Sequence, residues 1–189
     1  MQEEFLKKNL LDKIVAKAKK NIKLLTIISI IFLSILSVLF FLDYKKKKKN
    51  IFISEQYNYA LILTNNEKKE DAKKLLENII FLNDKTYSPL ALYLIIDQKF
   101  ENDSKKITLL FNKVLNIKSL KKDEKNLINI KKSLHLLNNS KYVEAIDILN
   151  PITSSKSIWR ETAIKIIAKY YNSIGENIKA KEYFDLLTN

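Results

Sequence analysis

Apolar and polar residues follow two different rules along this chain. From Leu24 to Leu42 (LLTIISIIFLSILSVLFFL) nineteen residues run without a charge, a glycine or a proline. A helix rises about 1.5 Å per residue, so this run spans roughly the 30 Å core of a bilayer. The stretch, marked along its length by Leu24, Ile31, Leu36 and Leu42, therefore predicts an uncleaved transmembrane anchor. From Ile51 onward apolar residues recur at spacings of three and four, broken by Asn, Asp, Ser and Lys, with no sustained alternation of period two. That pattern predicts an all-α domain with helices over roughly 51–64, 67–82, 87–98, 104–117, 123–138, 141–150, 157–173 and 176–188. Ahead of the anchor, Phe5, Leu6, Leu10, Leu11, Ile14, Val15 and Ala18 share one helical face, with lysines elsewhere. This suits either a basic amphipathic helix on the inner leaflet or a solvated positive tail. The expected organisation is a cytoplasmic basic segment over 1–23, the anchor over 24–42, a basic juxtamembrane linker over 43–50 and a helical domain over 51–189.

The eight candidate helices make four pairs with a common register. Small residues sit near the middle of each second helix: Ala72, Thr108, Ala145 and Ala180, separated by 36, 37 and 35 residues. In three pairs another small residue, Ala60, Ser133 or Ala168, lies twelve positions upstream, where the first helix of a hairpin crosses the second. Small side chains at both places let the backbones approach closely. The period matches the tetratricopeptide repeat, about 34 residues long. The fourth pair is the clearest, because Ile164, Ile167, Ala168, Tyr171, Gly175, Ala180 and Phe184 occupy its apolar, small, aromatic and turn positions in order. Gly175 suits a helix-ending position of positive φ. In the third pair Pro151 is expected to end its helix at Asn150. In the second, Ile96 and Thr108 replace the small residues. The fold class expected is thus one N-terminal transmembrane helix followed by a tetratricopeptide-like α-solenoid of about four hairpins.

Charge changes the picture mainly beside the anchor. Of the formal net charge of +13, residues 1–49 carry +8 and residues 50–189 carry +5. Lysines flanking a membrane helix attract anionic head groups at about 1 kcal/mol each, which assigns lipid contact to Lys19, Lys20 and Lys23 on one side and Lys45, Lys46 and Lys47 on the other. Arg160 is the only arginine, so a phosphate-reading stripe for nucleic acid is not expected. Seven lysines precede the anchor and five, Lys45 to Lys49, follow it. The count favours a cytoplasmic N-terminus, while the lysine run after the anchor argues for the reverse.

Catalytic chemistry finds little to work with. Cysteine is absent, which removes disulfides, thiolate metal sites and a Cys nucleophile. His135 is the sole histidine, and metal sites and triads need partners. Gly175 is the sole glycine, so no Gly-rich phosphate loop is possible. Neither an enzyme nor a cofactor, metal or small-molecule site is expected. Aromatic residues spread through every repeat are read mostly as core, with Tyr170 a candidate for partner binding because Tyr171 takes the packed position and the two should point apart.

This layout resembles the bacterial ancillary SecYEG translocon subunit family, membrane-anchored proteins with a tetratricopeptide repeat-like domain. The features that carry the likeness are a short charged segment, one anchor and four weak repeats ending in the best one. Local points are Thr86-Tyr87 leading into Leu90-Ala91-Leu92, and Trp159 opening the last repeat before Gly175-Glu176 and Ala180. The resemblance implies a non-enzymatic bacterial inner-membrane protein with its N-terminus in the cytoplasm and its repeats in the periplasm. There it would link the Sec translocon to periplasmic chaperones. The competing expectation, from the lysine run, is a cytoplasmic-facing tethered adaptor in cell-envelope assembly or signalling.

Overall fold

The computed structural model describes Asp12, Ala16 and Lys19–Thr188, so the apolar face expected before the anchor lies outside the described residues. The chain divides into two units, Met1–Ile51 and Phe52–Asn189. Helix α1 (Ile22–Asn65) contributes residues to both. The helices expected over 24–42 and 51–64 are therefore one, and residues 43–50 are helical turns within it. No glycine or proline interrupts α1, lysine is a good helix former, and Lys47 pairs with Asp43 one turn back at 2.9 Å.

In the first unit α1 is long and apolar enough to cross a membrane, and its apolar stretch is unburied. Leu24, Ile31, Leu36 and Leu42 are exposed, as are Lys19, Lys20, Lys23, Lys45, Lys46 and Lys47. The hydroxyls of Thr26, Ser34 and Ser37 donate to the carbonyls of Lys23, Ile30 and Leu33 at 2.8–2.9 Å. Each such bond satisfies a group that hydrocarbon could not.

The second unit continues through α2 (Lys69–Phe81), α3 (Tyr87–Asp97), α4 (Ser104–Leu115), α5 (Lys122–Asn138), α6 (Tyr142–Thr153), α7 (Arg160–Ser173) and α8 (Asn177–Asp185). From α2 onward each helix packs on its successor, and α2 also packs on α4. Short connections make neighbours antiparallel, which gives the array two edges. One carries the turns inside the hairpins: there Glu101, between α3 and α4, reaches Lys73 at the start of α2, and Ser104 at the start of α4 reaches His135 at the end of α5. The other carries the connections between hairpins. Here Tyr57 of α1 touches Tyr87 at the start of α3, ring centroids 5.7 Å apart. Ser88 donates to Ile79 of α2 at 2.9 Å, and Ser157 before α7 donates to Asp123 of α5.

Three of the four hairpin turns are the same object. Glu67, Lys99, Ser140 and Gly175 have φ of +60°, +53°, +59° and +80°. The following N–H groups, of Lys68, Phe100, Lys141 and Glu176, bond back to Leu63, Ile95, Leu136 and Tyr171 at 2.9–3.0 Å. All four helix ends thus close in the Schellman manner, with the left-handed residue absorbing the reversal. Three residues separate the paired helices in the first, third and fourth hairpins, but six separate α3 from α4.

This shared turn fixes the register. Seven residues before each left-handed position stand Ala60, Leu92, Ser133 and Ala168, all fully buried. In the second hairpin the crossing residue is therefore Leu92, not Ile96. Likewise the N–H groups of Ala72, Ala145 and Ala180 bond to the residue four back that opens each second helix, and in α4 that place belongs to Ile107. Thr108 is half-buried beside it, one residue off the expected position. The longer turn displaced the sequence count. Pro151 does not end its helix either, because α6 runs on to Thr153. A proline near the end costs a single ladder bond, and buried Ile152 and Thr153 hold the extra residues down.

Two core clusters result. The first runs from Ile53 through Leu76, Ile95 and Phe111 to Ile128; the second joins Ile130, Ile146, Leu149, Ile152, Ala163 and Ile167. Helix α5 supplies both Ile128 and Ile130.

Candidate docking surfaces

A cavity of about 210 Å³ opens between α3 and α5 above Phe111 of α4. Phe111 is fully buried and forms an apolar floor. Ile96 and Leu134 continue that surface, while Asp97, Lys131, His135 and Asn138 supply polar rims. Tyr93 stands on one wall with the Lys131 ammonium 4.5 Å from its ring centroid, a cation–π contact. Burial pushes the Tyr93 hydroxyl up to about 12. His135 is tied to Ser104 Oγ at 3.1 Å and packs beside Phe111. The cavity is lined by residues of α3 and α5, with Phe111 of α4 beneath them.

A second surface is a ladder of tyrosines across α6, α7 and α8. Tyr142 stacks on Tyr170 at 5.1 Å, Tyr170 meets Tyr171 at 5.4 Å, and Tyr171 stacks on Tyr183 at 5.7 Å. Lys179 lies over Tyr171, and the Tyr183 hydroxyl donates to Asn150 Oδ1 at 3.0 Å. Burial raises the Tyr183 hydroxyl above its ordinary range, with Tyr171 and Glu182 adding to it. Tyr170 and Tyr171 do not diverge as expected: both are half-buried and their rings touch. Neighbouring α6 and α8 offer Tyr142 and Tyr183 on either side, and each ring turns toward the resulting stack. Phe184, expected to pack, is 41% exposed, and Tyr183 holds the packed place instead.

The ionic features are structural in their geometry. Glu101 accepts N–H bonds from Asn102 and Asp103 at 2.9 and 3.0 Å and pairs with Lys73 at 3.0 Å and Lys106 at 3.2 Å. The Asp103 N–H, then the two ammonium groups, hold its carboxyl at about 2 despite burial. The only histidine meets a serine, but no carboxylate bonds its second ring nitrogen among the contacts of the described residues, so the arrangement lacks the orienting member of a triad. Among the described residues no group of three His, Asp or Glu side chains could hold a metal ion.

No protein-family model matches the chain. No curated protein matches it in sequence either. Solved structures do match in fold. The crystal structure of a single-residue variant of nearly identical TPR-like repeats, from a Podosopora anserina protein named as a kinesin light chain, superposes with a TM-score of 0.50. The match covers 70% of this chain and 71% of that one at 16% identity. This chain has a tetratricopeptide-like fold. The unsubstituted form of the same repeats gives a TM-score of 0.49, with 16% identity over 70% and 72% of the two chains. At such identity the likeness carries the tetratricopeptide-like fold alone. Ala60, Ala72, Ala145, Ala168 and Ala180, expected at helix crossings, are all buried. The sequence did not reveal the α3–α5 cavity, whose lining residues come from three helices and share no spacing.

Proposed function

We propose that this chain is a membrane-anchored, non-enzymatic protein-interaction scaffold. One observation carries the reading: an exposed apolar run, Leu24–Leu42, is joined in one chain to a tetratricopeptide-like array whose surface offers a partly apolar cavity and an aromatic ladder. Arrays of this kind present extended binding surfaces rather than enclosed reaction sites. The anchor raises the effective concentration of the array for membrane partners. In this reading residues 24–42 span the bilayer, residues 1–23 are cytoplasmic, Lys19, Lys20, Lys23 and Lys45–Lys47 meet head groups, and residues 51–189 are periplasmic. The partner proposed from the family resemblance is the Sec translocon, with the array handing emerging chains to periplasmic chaperones. Tyr170 contributes to docking as part of the ladder, not as an isolated outward ring.

The lysine run Lys45–Lys49 favours a second reading, a cytoplasmic-facing adaptor. Alkaline phosphatase fused after Asn189, active only when exported, separates the two. Active phosphatase with translocon crosslinks from the ladder supports the first; inactive phosphatase with a fluorescent cytoplasmic reporter overturns it. Deleting residues 24–42 should leave a folded, soluble helical repeat domain and abolish membrane association.

A further inference from the structure

The two edges of the repeat array differ in charge balance. On the hairpin-turn edge lysines are interspersed with acids, and Lys73 and Lys106 pair with Glu101, Lys141 with Glu144 and Lys179 with Glu176, while Lys68, Lys69, Lys99 and Lys105 make no ion pair among the described residues. On the connection edge, five lysines stand against two acids between Lys113 and Lys125. Both acids are occupied by donors, Asp123 by the Ser157 hydroxyl and Glu124 by the Lys121 N–H at 2.6 Å. Lys118, Lys121 and Lys122 are exposed and Lys125 half-exposed. None of these four makes an ion pair among the described residues. On the same edge Tyr57, five residues into the second unit, touches Tyr87 at the start of α3.

We propose that this connection edge docks on an anionic lipid surface through Lys118, Lys121, Lys122 and Lys125. The inference rests on the anchor reading given above. Lysine engages phosphate as a point charge without the bidentate geometry of arginine, and the one arginine is spent on carbonyls, Arg160 donating to Thr153 and Leu186. Among the described residues none of the four ammonium groups lies over an aromatic ring, in contrast to a stacking platform for bases. A diffuse, laterally mobile sheet of phosphates fits such a patch, and the tether keeps that sheet at high local concentration. Docking through this edge leaves the hairpin-turn edge free for a protein partner.

The chain has no cysteine, so single labels report cleanly. Full-length protein carrying Ser119→Cys, on the connection edge, or Asn66→Cys, on the hairpin-turn edge, is labelled with a fluorophore. It is reconstituted into phosphatidylcholine bilayers with or without phosphatidylglycerol, each containing a nitroxide-headgroup lipid. Quenching at position 119 is expected to rise several-fold with phosphatidylglycerol, while position 66 stays unchanged. High salt, which shortens the Debye length to about 3 Å at 1 M, should remove the difference. Changing Lys118, Lys121, Lys122 and Lys125 to Gln should remove it too, at unaltered helix content, each lysine accounting for about fivefold in partitioning. Protein that floats with both vesicle types but shows equal quenching at 119 overturns this proposal and leaves the anchor standing. Protein that floats with neither overturns both. A response at 119 to an acidic polypeptide but not to anionic lipid overturns it in favour of a protein ligand.

Discussion

At Glu67, Lys99 and Ser140 the backbone passes through φ of +53 to +60°, and Gly175 alone among the residues at the four hairpin turns has no Cβ. A left-handed conformation costs an L residue about 1–2 kcal/mol, and glycine recovers this at an unfolded-state entropy cost of about 0.5–1 kcal/mol. Lys99→Gly should therefore raise stability by about 0.5–1 kcal/mol, read from denaturant midpoints. Gly175→Ala should lower it by about 1 kcal/mol through φ alone, since open space surrounds a Cβ there. Only the glycine was legible in the sequence; glutamate, lysine and serine carry no such signal, and their conformation follows from the helix ends they close. Glu101 gives a pH signature. Its folded carboxyl sits at about 2 against an ordinary 4.5, so the stability it contributes is complete above about pH 4.5 and is lost as pH falls toward 2. Glu101→Gln should cost about 1–3 kcal/mol at neutral pH and flatten the stability profile between pH 4.5 and 2. A profile unchanged by the substitution would remove Glu101 from that role.

Element boundaries were readable where periodicity was long and turn chemistry simple. The hairpins over α5–α6 and α7–α8 fell close to expectation, with their paired small residues in place. The second hairpin did not, because its turn is three residues longer and houses Glu101, which no hydrophobic period records. The basic juxtamembrane linker expected over 43–50 followed from charge composition, and these residues are helical because lysine is a good helix former. The end of the array depends on one side chain. Arg160 Nε donates to Thr153 O at 3.1 Å and its terminal nitrogen to Leu186 O at 2.7 Å, clasping the ends of α6 and α8 to the start of α7. A planar guanidinium reaches both carbonyls at once, which an ammonium on a flexible stem does not match. Arg160→Lys should cost about 1–2 kcal/mol and speed amide exchange at the end of α8 more than anywhere in α2–α4. Equal exchange in the two variants would show that the clasp is not holding α8.

Across the whole repeat domain, stability is divided between two core clusters that meet on α5, where Ile128 faces one and Ile130 the other. An array in which each helix mainly touches its successors behaves nearly one-dimensionally, so damage at one end need not propagate to the other. Ile167 is fully buried in the second cluster. Ile167→Ala removes packed methyl groups and leaves a cavity, at a cost of about 2–5 kcal/mol. If the clusters are separable, native-state hydrogen exchange on the full chain in detergent should show protection falling by that amount in α6–α8 while α2–α4 keep theirs. A uniform fall through every helix would mean that α5 transmits the loss and the array unfolds as one unit. The distinction bears on binding, because the tyrosine ladder lies wholly on α6–α8 and the cavity above Phe111 on α3–α5. Separable clusters would let a partner order one surface without rigidifying the other.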